Sequence, residues 1–205
     1  MARILWNYID GLLLSDGHIQ ENINKTSGRY IQRCKYKEWL DDISNFFFNY
    51  GIINKVSDPI YHKGFSKDKL FVVYSLFTHR YLEFKNMRDR WYKPFYYEDR
   101  EGYECFKYKK CIPKDIDLTP CCVANWYIGD GNISKHYIGL ATNDFLREDT
   151  IFLSELLSKT LDIKCTATKE NRIIISRKSG IEAFLDYIKE YKISCYSYKF
   201  PEGAI

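Results

Sequence analysis

The chain has 205 residues, which is enough for one large domain or two small ones that bury a hydrophobic core. Its composition is 45% hydrophobic and 28% charged with 11 Gly and 5 Pro, which excludes collagen-like, disordered and low-complexity proteins. The net charge of +4 does not by itself indicate a class of partner, and no apolar run is long enough for a membrane span, so no membrane partner is expected.

The N-terminal segment and the cysteines both predict an intracellular protein that is not secreted. Asp10 interrupts the first apolar stretch before the core of a signal peptide could be completed. Seven Cys residues without regular pairs favour a reducing compartment, cytoplasm or organelle, over a disulfide framework. Cys105, Cys111, Cys121 and Cys122 lack the closely spaced pairs that hold zinc, so we expect no zinc site.

The first half of the chain shows alternating helical and strand periods of apolar residues. The first helix ends at Asp16-Gly17, and the hairpin after it turns between Lys25 and Gly28. The predicted elements are, in order, a helix at residues 3–15, strands at 18–24 and 28–36, a helix at 37–51, strands at 52–62 and 69–77, and a helix at 79–91.

The same order of elements returns after Pro120, behind a linker at residues 93–118 that has room for one extra hairpin. The predicted elements are a helix that ends at Asp130-Gly131, a strand at 137–143, a helix at 147–161, strands at 163–169 and 172–178, and a helix at 180–191. The chain is therefore expected to be an α/β (α+β) protein of two αββαββα repeats, at residues 1–92 and 119–205, with antiparallel sheets.

The first helix of each repeat ends in the same pattern, a small residue followed by Asp-Gly, a polar residue and Ile. Asp16 and Asp130 occupy the acidic position, and small residues such as Gly11 and Gly129 would let the two helices approach closely. A carboxylate at the negative end of a helix costs roughly 0.3–1 kcal/mol, which divalent cations would offset. A single Asp-Gly is typical of a turn without function. Its repetition at the same point of two units favours a paired metal site for phosphodiester hydrolysis.

On these motifs the chain resembles the LAGLIDADG homing endonucleases in their two-motif, single-chain form. The segments that carry the resemblance are GLLLSDG (residues 11–17) and WYIGDG (residues 126–131), and it extends over nearly the whole chain. The lead into the second motif, KCIPKDIDLTPCCVANWYIGDG, is similar to that of the group I intron-encoded subgroup. One departure is Asn125, which stands where the family signature has its first Gly.

The resemblance implies a pseudo-symmetric monomer in which the motif helices form the interface between repeats. Asp16 and Asp130 would be catalytic acids that bind Mg²⁺, for which Mn²⁺ or Ca²⁺ could substitute in binding. The backbone carbonyls of Ser15 and Gly129 would add metal ligands.

The resemblance also implies a basic residue beside each scissile phosphate and a polar residue that orients water. Lys110 and Lys199 match the basic positions, and both follow the last helix of their repeat and precede a Pro by two or three residues. Gln32 and Asn143 match the polar positions on the second strand of each repeat.

In the family, saddle-shaped sheets lie in the DNA major groove, so double-stranded DNA is the expected partner. Two sheets of ten-residue strands in line would cover on the order of 20 base pairs, and unlike repeats imply an asymmetric site. The strand residues expected to contact DNA are Arg29, Arg33, Lys35, Lys164, Lys169, Arg172 and Arg177.

Three functions follow from these residues, and the first is a metal-dependent, site-specific double-strand DNA endonuclease. Both acids and both lysines are present, whereas a non-cleaving DNA-binding regulator on the same scaffold would be indicated by loss of an acid. An intron maturase, with intron RNA as its partner, is distinguished only by an RNA-binding or splicing assay.

The four His residues do not have the spacing of zinc-dependent nucleases, and no nucleotide-binding P-loop is present.

Overall fold

The computed structural model describes residues 3–63 and 70–201 and contains two units of mixed helix and antiparallel sheet. Each unit begins with one of the two motif helices. The helices are α1 (Arg3–Leu14), α2 (Lys37–Asn49), α3 (Leu82–Trp91), α4 (Pro120–Asp130), α5 (Arg147–Leu161) and α6 (Lys178–Ile188). The strands are β1 (His18–Glu21), β2 (Gly28–Cys34), β3 (Asn54–Val56), β4 (Ile60–Lys63), β5 (Leu70–Thr78), β6 (Tyr92–Glu98), β7 (Glu104–Lys110), β8 (Gly131–Ile133), β9 (Ile138–Ala141), β10 (Thr166–Ala167) and β11 (Arg172–Ile175).

The two sheets have the same strand order, which confirms the predicted repeat and fold class. The first is ordered β1-β2-β5-β3, with β4 also on β5, and the second is ordered β8-β9-β11-β10. In each sheet the strand that follows the motif helix is at one edge and pairs antiparallel with the next strand. The chain therefore folds twice in the same way, and each time the motif helix precedes the edge strand.

Two boundaries in the first unit differ from the prediction. The strand expected at residues 52–62 is two short strands, β3 and β4, because Pro59 between them has no N–H to give to a ladder. The helix expected from His79 begins at Leu82, because Tyr81 exchanges two backbone hydrogen bonds with Gly28 and stays extended. Residue 69, the predicted start of the next strand, lies outside the described residues.

The second unit and the linker also differ in detail. Strand β8 was not predicted, since it has three residues and follows α4 directly, and the strand expected at 163–169 is limited to β10. Helix α6 ends at Ile188, and two 3₁₀ turns, Lys189–Tyr191 and Ser194–Lys199, complete the unit. The extra hairpin predicted in the linker is present as β6 and β7, which pair from Tyr92–Lys110 to Glu98–Glu104.

The motif helices α1 and α4 pack against each other backbone to backbone, as their small residues predicted. A Cβ placed on Gly11 would overlap the backbone carbonyl of Cys122, and one on Gly129 would lie 2.5 Å from Ser15 Oγ. The two helices bury many apolar side chains, which include Ile9, Leu12, Leu13, Val123, Trp126 and Ile128. Among the described residues, no helix has both the length and the apolar character needed to span a membrane.

Gly11→Val should lower the free energy of unfolding by about 3 kcal/mol, since the overlap is with rigid backbone of the facing helix and not with a movable side chain. Gly51→Ala is the matched control, because its site is open and only its positive φ of 72° opposes a side chain, at roughly 1 kcal/mol. Urea unfolding of both variants measures the difference. Equal losses would mean that the close approach of α1 and α4 contributes nothing.

Candidate active site

The two motif helices bring Asp16 and Asp130 to the same place. Asp16 is exposed and follows the end of α1, while Asp130 is half-buried as the last residue of α4. Both carboxylates line one groove, which we call the first groove. The contact between Ser15 and Gly129, the residues that precede the two acids, explains why the helix ends meet here.

Ionisation of Asp130 beside Asp16 is unfavourable, because it places a second negative charge at a half-buried site. Burial and, to a lesser extent, the neighbouring Asp16 raise the pKa of Asp130 to about 7, although Lys110 and Lys199 act in the opposite direction. A carboxyl with such a pKa is partly protonated at neutral pH. The site therefore favours the entry of positive charge beside the carboxylates.

Lys110 binds the end of the first motif helix. It is the last residue of β7, and its Nζ donates to the carbonyls of Leu13 at 2.9 Å, Ser15 at 3.0 Å and Gly17 at 2.6 Å. Burial lowers the pKa of Lys110 to about 8, against the attraction of Asp130, Asp16 and Asp144.

Lys199 binds the end of the second motif helix in the same manner. Its Nζ donates to the carbonyls of Tyr127 at 3.2 Å and Ile128 at 2.7 Å. The Tyr127 hydroxyl in turn donates to the backbone carbonyl of Lys199 at 2.6 Å. Burial lowers the pKa of Lys199 to about 8, against the attraction of Asp130 and Asp16.

The two lysines make similar contacts, and these contacts indicate a role that the sequence did not reveal. Each ammonium compensates the negative end of its own motif helix, a task that the sequence assigned to metal ions alone. Lys110 uses all three of its donors on carbonyls, whereas Lys199 uses two. The Ser15 carbonyl, expected as a metal ligand, accepts one of these bonds and keeps its second lone pair.

Gln32 and Asn143 are not equivalent positions in the two sheets. In the first sheet His18 pairs with Ile31, so the register places Gln32 opposite Gly17. In the second sheet Gly131, the counterpart of Gly17, pairs with Leu140. The counterpart of Gln32 is thus Leu140, and that of Asn143 is Lys35.

The environments of these two residues differ accordingly. Gln32 is fully buried, accepts a hydrogen bond from the Tyr30 hydroxyl, and has no partner for Nε2 among the described residues. Asn143 is exposed in the first groove and donates from Nδ2 to the Glu170 carbonyl at 2.5 Å. Their expected role in orienting water and phosphate stays a prediction.

Two grooves meet at Asp16 and His18, which line both of them. The first groove runs between the base of the β6–β7 hairpin and residues 141–145, and the second groove is lined by Asp16, His18, Arg33, Lys35 and Tyr196. Each groove is thus formed by the end of a second strand from one unit and the lysine-bearing segment of the other.

The basic residues expected on strands are partly elsewhere. Arg29 and Arg33 alternate on the face of β2 that points away from the buried Tyr30 and Gln32, and Arg172 lies in β11. The others lie just outside the strands, in loops or at a helix start; they are Lys35 after β2, Lys164 before β10, Lys169 in the β10–β11 turn and Arg177 at the N-cap of α6. Their expected contact with DNA stays a prediction.

Several residues that line the grooves are not among the predicted site residues. Lys107, Lys109 and Asp144 line the first groove, and His18 lines both grooves. The alternation of lysines in the segment FKYKK was the available signal for Lys107 and Lys109, whereas the position of Asp144 depends on tertiary structure. Burial lowers the pKa of His18, and the positive charge of Lys110 lowers it further. This imidazole is therefore neutral at physiological pH.

The site contains few side chains that could bind metal together. Among the described residues, no group of three or more His, Cys, Asp or Glu side chains is arranged to hold an ion. All seven cysteines are free thiols. A cation at this site would therefore depend on the two aspartates and on backbone oxygen atoms.

A model of the LAGLIDADG DNA endonuclease family matches residues 6–183 of the chain. Among curated proteins, the chain is 26% identical over 198 residues to the uncharacterized protein MJ1098 of Methanocaldococcus jannaschii, which covers 93% of this chain and 71% of that protein. It is 26% identical over 200 residues to the cytochrome b mRNA maturase bI2 of Saccharomyces cerevisiae, which covers 93% of this chain and 46% of the maturase. The chain thus spans about half the length of the yeast maturase.

Among solved structures, the chain is similar to the homing endonuclease I-WcaI bound to its DNA recognition sequence. The TM-score is 0.79 and the identity 19%, and the match covers 98% of this chain and 87% of that one. At this identity the likeness establishes the fold.

Proposed function

The chain belongs to the LAGLIDADG DNA endonuclease family, and we propose that it is a site-specific endonuclease that cuts both strands of an asymmetric DNA site of about 20 base pairs. The proposal rests on the pair of carboxylates, Asp16 and Asp130, that line the first groove, where Asp16 also lines the second groove. Two acids allow one reaction centre for each strand of the duplex.

We propose Mg²⁺ as the cofactor, held by Asp16, Asp130 and the carbonyls of Ser15 and Gly129. The residues fit such an ion, because burial and the second carboxylate oppose the ionisation of Asp130 and a divalent cation would relieve both. All four ligands are hard oxygen atoms, the type that Mg²⁺ prefers. When bound, the ions supply an activated water and stabilise the leaving oxygen.

The chain's own residues position the DNA and fix the geometry of the acids. Arg29 and Arg33, which alternate on β2, would contact phosphates or base edges on one side of the cut, and Arg172 on the other. Lys110 and Lys199 hold the ends of the motif helices and place positive charge beside the reacting phosphates.

Divalent-cation affinity should rise with pH and level off above about pH 7. Binding requires the Asp130 carboxylate, and its pKa is raised to about 7, so below that pH a proton competes with the cation. Each pH unit below 7 should weaken binding roughly tenfold at this site. Calorimetric titration with Ca²⁺ at pH 6, 7 and 8 measures the trend, and affinity that is flat over this range would contradict it.

The proposed function is tested by selection from a randomised duplex library in the presence of Mg²⁺. Cleaved molecules should share one asymmetric sequence of about 20 base pairs, because the two sheets present different side chains along their strands. Recovery of sequences with no common site, or of none at all, would overturn the proposal.

A maturase activity is the second candidate, and the relative that favours it is the yeast cytochrome b mRNA maturase. The same basic faces could contact the phosphates of folded RNA. Binding of the protein to group I intron RNA, compared with an unrelated RNA of equal length at the same salt concentration, distinguishes this function from DNA cleavage alone. Equal affinity for the two RNAs would remove this candidate.

A further inference from the structure

The β6–β7 hairpin has no counterpart in the second unit and belongs to neither large sheet. Its strands pair only with each other within the described residues, whereas the second unit reaches Lys199 through 3₁₀ turns. A two-stranded hairpin is marginally stable in isolation, and much of its apolar surface is exposed. Tyr96, Tyr103 and Phe106 are each more than 60% exposed.

The β6–β7 hairpin is basic near its base and acidic at its tip. Three lysines occupy one face near the base, where Lys93 pairs across the strands with Lys109 and Phe95 pairs with Lys107. Like charges directly opposite each other destabilise a strand pair unless an anion lies between them. The tip is acidic, with Glu98, Asp99, Glu101 and Glu104.

Lys107 and Lys109 are available for an external anion. Their ammonium groups lie over the rings of Tyr97 at 5.2 Å and Phe95 at 5.4 Å. Neither forms a salt bridge with any residue that the structure describes, in contrast to Lys37, Lys85 and Lys189 on helices and turns. The two lysines alternate on one strand, so their backbones are about 7 Å apart, which equals the rise of about two nucleotides (3.4 Å each) along the axis of a DNA strand.

The base of the hairpin is fixed beside the acidic pair. Tyr92 accepts a hydrogen bond from the Ile19 amide at 3.3 Å, and the Arg88 guanidinium lies over the rings of Tyr92 and Tyr108 at 5.0 and 4.5 Å. Lys107 and Lys109 therefore form a wall of the first groove, which contains Asp16 and Asp130. A DNA strand that enters this groove passes along that wall.

We propose that the lysine face of the β6–β7 hairpin binds the DNA phosphate backbone on one flank of the cleavage site only. The inference rests on the proposed function and extends it to an asymmetric contact outside the two sheets. The acidic tip limits the contact to the basic half of the hairpin, because phosphates are repelled beyond Phe95 and Lys107.

The test compares Lys107→Gln, Lys109→Gln and the double variant with Arg100→Gln, which removes the same charge from the tip of the same hairpin. Affinity for the selected duplex and for a random 40-base-pair duplex (about 136 Å long) is measured in Ca²⁺ over a range of salt concentrations. The double variant should bind roughly tenfold more weakly, with a salt slope smaller by about 1.8, and Arg100→Gln should match the parent.

Hydroxyl-radical footprinting on the selected duplex should show protection lost on one strand, on one side of the centre. Parental slopes and footprints in the double variant, or an equal effect of Arg100→Gln, would overturn the proposal. Failure of the proposed function would give a different result. A parent chain that binds duplexes without cutting them would disprove cleavage, but its salt slope could still be compared with that of the double variant.

Discussion

Asp16→Asn or Asp130→Asn should abolish double-strand cleavage and leave DNA affinity within about tenfold, roughly 1.4 kcal/mol. Each acid is expected to hold a metal ion at one scissile phosphate, and neither lies on the basic strand faces that would contact DNA. An amide has nearly the shape of the carboxyl but cannot supply its negative charge. Strand-resolved gels and a binding titration of each variant measure the two quantities.

The matched control is Asp186→Asn, the same change on the exposed surface of α6, where Asp186 accepts a hydrogen bond from Lys189. This variant should cut at the parental rate. If either motif variant also cuts both strands at that rate, the assignment of the acids is wrong, and the two Asp-Gly turns are only helix ends.

Lys110→Met and Lys199→Met should each slow cleavage by on the order of 10²-fold at saturating protein, about 2.7 kcal/mol in the barrier. Each ammonium lies beside the acidic pair, where its charge stabilises the charge that develops on the phosphate. Single-turnover reactions measure this step without the influence of affinity.

The contacts of the two lysines predict a difference in stability. Lys110→Met removes the ammonium from three carbonyls at the end of the first motif helix and should lower the free energy of unfolding by about 3 kcal/mol. The loss in Lys199→Met should be smaller, because only two carbonyls lose the ammonium and that of Tyr127 keeps the Gly131 amide as a donor. Lys35→Met is the control, since its loss should weaken binding and reduce the salt slope by about one without a separate effect on the chemical step. Parental cutting by Lys110→Met and Lys199→Met would mean that these lysines serve the helix ends alone.

The architecture could be predicted because its signals are local and occur twice. Helices α1 and α4 have apolar periods that end at Asp-Gly, and the small residues that predicted their contact do pack together. Strand β8 was missed because three residues are too few to show a period. The interruption at Pro59 was visible in the sequence, but the pairing of both resulting strands with β5 was not.

The two acids of the candidate site could be predicted from the sequence, whereas the contacts of the residues around them could not. Asp16 and Asp130 are part of the motif, so the repeat identifies them directly. The carbonyls that Lys110 binds are more than 90 residues away along the chain, and no local pattern encodes such a contact. Gln32 and Asn143 were expected at matching positions but are not, because strand register decides which positions match. The register is set by pairing across the sheet, which a local sequence pattern does not show.

We expect one chain to cut both strands of a duplex through its two motif acids. The direct measurement uses the selected duplex with a different label on each strand, one protein chain per duplex, and Mg²⁺ present. We expect one break in each strand at a fixed position, and neither break in a variant with both Asp16→Asn and Asp130→Asn. A duplex that is bound with both strands intact, or breaks that persist in the double variant, would contradict it.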